Sequence, residues 1–125
     1  MMIVGIGCDL VAHDLTERLN WTSELSMLQR VFSNREIELF HEIDSITFLA
    51  GRFAAKEAVL KSLGTGMEDG IALSDIEILK LETGQPRIEV KGRVKEIADS
   101  LGVKSWKISI SHSDRSSMAF VLAEK

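Results

Sequence analysis

The spacing of apolar residues changes period once along this chain, and that change constrains the fold more than any other feature. Between Ser33 and Leu63 the apolar positions recur at helical spacing. Ser33-Asn-Arg-Glu36 has the form of a capping box and opens a short helix carrying Ile37, Leu39 and Phe40. Asp44 or Ser45 then caps a longer helix running through Leu63, with Gly64 as its stop. From Asp75 the period drops to two. Asp75 to Leu81 alternates, Thr83-Gly84-Gln85 turns the chain, and Arg87 to Val90 returns. Pro86 is tolerable at the start of that strand, where no N–H need be donated. Gly92 to Leu101 is an amphipathic helix with Val94, Ile97, Ala98 and Leu101 inward, closed by Gly102. Lys104 to Ser111 and Ser117 to Ala123 pair as a hairpin around His112-Ser-Asp-Arg-Ser116. Strands and helices are segregated, which predicts an α+β fold.

The N-terminal segment Met2 to Leu10 reads as a buried strand. Residues alternate across a strand, so Gly5, Gly7 and Asp9 share one face and Ile6, Cys8 and Leu10 the other. Cys8 then reads as a small core residue. His13 to Gln29 has a weak helical pattern with Trp21 as its largest apolar group.

Size and charge narrow the function. With 125 residues, 45% of them hydrophobic, the chain has the length of one domain, residues 1–125. Fifteen Lys and Arg against nineteen Asp and Glu give a net charge of −4, which argues against a nucleic-acid partner. An anionic ligand still fits if the basic residues cluster. The single cysteine excludes an intrachain disulfide and suits a reduced, cytoplasmic setting. The apolar start lacks a basic n-region and is interrupted by Asp9, so neither a signal peptide nor a membrane span is expected.

Ala50 to Gly66 is the segment richest in chemistry. On a helix, Glu57 and Lys61 are neighbours at i,i+4, on or near a stripe of small residues that includes Ala50, Ala54 and Gly64. Small residues let a ligand or another backbone come close. Arg52 and Lys56 form a second basic pair on a neighbouring stripe. A solvated ion pair worth about 0.3–0.5 kcal/mol is the plain alternative. Gly64-Thr65-Gly66 could offer backbone N–H groups to phosphate, although taken alone it reads better as a helix cap and turn, and no P-loop pattern is present. Asp9, at the end of a glycine-bearing strand, is a cap or a ligand for a hard metal. Mg²⁺ takes one or two carboxylates and completes its shell with water and phosphate, so Asp9 and Glu57 could serve if the strand packs beside the helix. Ser111-His112-Ser113-Asp114 is no triad, because adjacent residues cannot converge as nucleophile, base and orienter.

Three segments together resemble the holo-acyl-carrier-protein synthase family, the short 4′-phosphopantetheinyl transferases. They are Gly5-Ile-Gly-Cys-Asp-Leu10, Gly51-Arg-Phe-Ala-Ala-Lys-Glu-Ala58 continuing through Lys61-Ser-Leu-Gly-Thr-Gly66, and Ile108-Ser-Ile-Ser-His-Ser113. Gly84-Gln-Pro86 is a weaker fourth. The resemblance implies an antiparallel sheet with one long helix packed against it. It implies transfer of 4′-phosphopantetheine from coenzyme A to a serine of an acidic acyl carrier protein, releasing adenosine 3′,5′-bisphosphate. By position it makes Asp9 and Glu57 the Mg²⁺ ligands, Lys61 the lysine at the pyrophosphate, and His112 the histidine near the nucleotide. Arg52, Gly64, Thr65, Gly66, Pro86 and Ser113 would line the nucleotide site. It also implies a homotrimer with sites between subunits. One position departs: Leu15 stands where the family carries an arginine on the carrier-docking helix, with Arg18 one turn later as a substitute.

This chemistry suits the residues. Charge builds on the leaving phosphate, where Mg²⁺ and Lys61 would offset it. The carrier serine would lose its proton to Glu57 or, preferably, to a metal-bound water, since a ligating carboxylate is a weakened base. A Mg²⁺-dependent phosphohydrolase and a noncatalytic coenzyme A or carrier-binding module are the alternatives.

Overall fold

The computed structural model describes residues 2–67 and 70–125. Strand β1 (Ile3–Ala12) is followed by two short helices, α1 (Leu15–Arg18) and α2 (Leu25–Gln29). Helices α3 (Asn34–Ile43) and α4 (Ile46–Ser62) come next. A 3₁₀ turn (Leu73–Asp75) leads into β2 (Ile76–Lys80) and β3 (Pro86–Val90). Helix α5 (Gly92–Ser100) then precedes β4 (Ser105–His112) and β5 (Ser116–Glu124). The class is α+β, as the change of period predicts. The strands form two antiparallel sheets, β1-β5-β4 and β2-β3. The weak pattern from His13 to Gln29 yields two single-turn pieces rather than one helix.

Helix α4 lies across the three-stranded sheet, and glycines set how closely. A Cβ on Gly5 would sit 1.8 Å from the Ser62 carbonyl oxygen, and one on Gly7 would sit 1.9 Å from that of Ala58. The small-residue stripe therefore receives a backbone, strand β1. Ala54, Ala58 and Val59 of α4 pack there with Ala119 and Val121 of β5, all fully buried.

This arrangement corrects the reading of Cys8. The alternation holds, but the glycine face is the one that turns inward. Cys8 is exposed, and Ile6 and Leu10 beside it are 57% and 72% exposed. Met118 and Phe120 stand opposite Leu10 and Cys8 in the register and are also exposed. Leu101, expected inward, is 40% exposed because it caps α5 rather than belonging to its buried stripe.

Lys56 is a second correction. Expected as a basic pair with Arg52, it is instead fully buried and paired with a carboxylate. Its ammonium donates to Glu36 Oε1 at 2.6 Å, to the Leu73 carbonyl at 3.0 Å and to the Ile76 carbonyl. Glu36 completes the Ser33 capping box and also accepts from the Ile78 N–H. Burial pushes the Glu36 carboxyl up and the Lys56 ammonium down, and each opposes the other's shift. One buried ion pair thus ties α3, α4, the 3₁₀ turn and β2 together.

Strand β2 is buried on both faces except at Lys80. Its Glu77 is held by Ser33 Oγ at 2.6 Å, by Arg35 at 2.7 and 3.1 Å, and by Lys91 at 3.0 Å. The Arg35 hydrogen bonds lead in lowering its carboxyl from 4.5 to about 2. A depressed carboxylate contributes stability that is complete above its unfolded value and is lost as pH falls through its folded one. Glu77→Gln should therefore flatten the decline in unfolding midpoint between about pH 4.5 and pH 2. A decline as steep as the wild type's would show that other groups cause it.

Candidate active site

Strand β1 and the C-terminal half of α4 bring Asp9, Glu57 and Lys61 together. The Gly5 and Gly7 contacts set β1 against Ala58 and Ser62, which places Asp9 beside the preceding turn. Lys61 Nζ donates to Asp9 Oδ1 at 2.9 Å and to the Cys8 carbonyl at 3.0 Å. Its salt-bridge partner is therefore Asp9 across the strand rather than Glu57 on its own helix. Burial, and then the Asp9 charge, raise the Glu57 carboxyl, while Lys61 opposes the shift. The hydrogen bond to Asp9 raises the Lys61 ammonium.

Two carboxylates and a backbone carbonyl are hard oxygen donors. Among the described residues no group of three or more His, Cys, Asp or Glu converges. A set of two carboxylates suits Mg²⁺, which keeps several waters and takes phosphate oxygens, better than it suits zinc. Asp9 and Glu57 thus fit the metal that the sequence reading assigns to them.

A second group of expected residues meets elsewhere. Arg52, Pro86 and His112 line a cleft of about 440 Å³, with Phe48, Gly51, Gly84 and Ile110. The Arg52 guanidinium lies over the Phe48 ring, 4.1 Å from its centroid. Arg52 Nε is buried without a hydrogen-bond partner. Burial lowers the Arg52 guanidinium, with Glu36 opposing. Gly51 lets α4 come close to β4 here, since a Cβ would meet the Ile110 methyl at 3.1 Å and push it back by a few tenths of an ångström.

Helix geometry keeps the two groups apart. At 3.6 residues per turn, Arg52 and Glu57 point about 140° away from each other, whereas Glu57 and Lys61 differ by about 40°. The sheet agrees: Asp9 lies on β1 and pairs with Ala119 of β5, while His112 lies on β4, two strands from β1. The body of α4 stands between the Asp9-Glu57-Lys61 cluster and the Arg52-Pro86-His112 cleft.

The remaining expected residues divide. Gly64, in the left-handed region at φ 73°, ends α4. The Gly64 and Thr65 N–H groups donate to the Lys61 and Leu60 carbonyls, so both are used in the helix cap. Gly66 follows directly. Ser113 lies in the β4–β5 turn, and a shallow pocket there joins it to His112, Leu10 and Met118. Phe48 escaped the sequence reading, although its i,i+4 spacing from Arg52 was available as a signal. The buried roles of Glu36 and Lys56 escaped it too.

The chain belongs to the 4′-phosphopantetheinyl transferase superfamily, whose family model matches residues 5–121, and to its holo-[acyl-carrier-protein] synthase group of enzymes. It is 42% identical over 124 residues to the holo-[acyl-carrier-protein] synthase of Hydrogenovibrio crunogenus, covering 98% of each chain. The fold matches the crystal structure of the Neisseria meningitidis holo-[acyl-carrier-protein] synthase with a TM-score of 0.88 and 31% identity, over 99% of this chain and 100% of that one. It also matches the Helicobacter pylori holo-[acyl-carrier-protein] synthase in complex with coenzyme A, with a TM-score of 0.83 and 32% identity, over 95% and 99% of the two chains. Among the described residues no helix is long and apolar enough to cross a membrane.

Proposed function

We propose that this enzyme transfers 4′-phosphopantetheine from coenzyme A to a serine of an apo acyl carrier protein, with Mg²⁺ and with release of adenosine 3′,5′-bisphosphate. The observation that carries this reading is the meeting of Asp9, Glu57 and Lys61 at one point, although Asp9 and Lys61 are 52 residues apart in the chain. In the reaction the serine oxygen forms a bond to the phosphorus that carries the pantetheine. The phosphoanhydride bond breaks, and its electron pair leaves on the adenosine bisphosphate. The serine proton departs to a base.

Asp9 and Glu57 hold the metal, which when bound offsets charge on the pyrophosphate. Lys61 adds a mobile point charge beside it. Arg52 and His112 receive the nucleotide phosphates in their cleft, where the unpartnered Arg52 Nε is a donor in need of an acceptor. Since α4 separates the two groups, one bound coenzyme A reaches both only if a second copy supplies one of them. The exposed Ile6, Leu10, Met118 and Phe120 give such a copy an apolar face to dock on. A closed trimer is the assembly we infer.

The carrier is acidic and the enzyme is net negative, so local basic residues must steer their encounter. Leu15 is partly buried against both cores, whereas the Arg18 side chain is 64% exposed and only loosely paired with Asp14 at 3.4 Å. Arg18→Ala should raise the carrier KM several-fold and leave the coenzyme A KM unchanged. Equal values for both substrates would remove Arg18 from the docking surface.

The function itself is tested by mass spectrometry of candidate apo carriers incubated with the enzyme, coenzyme A and Mg²⁺. A gain of one phosphopantetheine supports transfer. Free phosphopantetheine with unmodified carrier would mean a hydrolase instead. Tight binding without either product would mean a noncatalytic module.

A further inference from the structure

The ammonium of Lys61 sits where two acceptors of strand β1 meet, Asp9 Oδ1 at 2.9 Å and the Cys8 carbonyl at 3.0 Å. These oxygens, with Glu57 nearby, are the same donors that suit a divalent metal. Resting on the transferase reading above, we propose that Lys61 is a displaceable internal cation. In the free enzyme it satisfies Asp9 in place of the metal, and it moves from Asp9 to the coenzyme A pyrophosphate when metal and nucleotide bind together.

Three features fit this role. First, an ammonium is a compact point charge on a flexible four-carbon stem, and the Lys61 side chain is 53% exposed. It can swing away without repacking the core. Second, two carboxylates placed side by side repel each other, and Glu57 is half-buried. A resident cation removes that repulsion and keeps Asp9 ordered. Third, the ammonium end of this pair is half exposed while Asp9 is only 18% exposed, so a doubly charged ion can take the carboxylate and release the lysine to water, most readily when a pyrophosphate offers Lys61 a new counter-charge. Metal and coenzyme A then bind with positive coupling, and the coupling is reciprocal. If Lys61 served only to orient Asp9 for the metal, its removal would loosen metal binding instead.

Mn²⁺ binding, read from the free-ion signal in electron paramagnetic resonance, distinguishes the two roles without any turnover. In the absence of nucleotide, Lys61→Gln should bind Mn²⁺ about tenfold more tightly than the wild type, because a cation within a few ångströms has gone. Lys61→Arg, which keeps the charge, should bind it as weakly as the wild type. Asp9→Asn should bind it less well than either. Adding coenzyme A should tighten Mn²⁺ binding by a larger factor in the wild type than in Lys61→Gln. Circular dichroism of each variant checks that the fold is kept. Unchanged or weaker Mn²⁺ binding by Lys61→Gln would overturn the proposal. The wild type run in the carrier assay keeps the two claims separate: failure there overturns the transferase reading, whatever the Mn²⁺ titration shows.

Discussion

Lys56→Ala should destabilise the fold by about 3–5 kcal/mol, the usual cost of removing one partner of a buried ion pair. The substitution leaves the Glu36 carboxylate fully buried without its ammonium and strips the Leu73 and Ile76 carbonyls of a donor. Glu36→Ala should cost a similar amount. It orphans Lys56, breaks the capping box and frees the Ile78 N–H. The pair Lys56→Met with Glu36→Gln should cost less than the sum of the two single losses, since together the changes leave no unpaired charge buried. Urea unfolding of the four proteins measures all of this. A Lys56→Ala loss below about 1 kcal/mol would mean that water reaches the site and satisfies Glu36.

The second large effect concerns activity alone. Asp9→Asn and Glu57→Gln should each lower kcat/KM for transfer by more than about 100-fold, since even partners one step removed from a metal cost 10- to 100-fold. Both residues lie at the edge of the packed core, and the Asp9 side chain is 18% exposed. Their unfolding midpoints should stay close to wild type. A normal transfer rate at low Mg²⁺ in either variant would remove that residue from the metal site.

The same residues show what a sequence can and cannot disclose. Local signals were readable: the Ser33–Glu36 capping box, the Gly64 stop, and the alternation that sets Gly5, Gly7 and Asp9 on one face. Each depends on neighbours within a few residues. The side on which that face would pack was not readable, because it depends on where α4 lands. Cys8 was misplaced for that reason. The sequence shows Lys56 only as half of a basic pair with Arg52, because its true partners Glu36 and Ile76 lie 20 residues away in either direction. The chemistry of Asp9 and Glu57 suits a shared metal from sequence alone, but only if β1 packs beside α4, a condition that sequence spacing cannot supply and the family likeness does. Spacing alone could not show the Asp9–Lys61 contact, nor that α4 would divide the site residues into two groups.

Subunit complementation tests the division of the site by α4 most directly. Asp9→Ala and His112→Ala proteins are each expected to transfer phosphopantetheine poorly alone. Mixed, unfolded and refolded together, they form assemblies in which the intact Asp9 cluster of one variant faces the intact His112 cleft of the other. Activity above the sum of the two parents is the predicted result, read as phosphopantetheine on the carrier by mass spectrometry. No gain, with mixed assemblies verified by native mass spectrometry, would contradict it and return the whole site to a single chain.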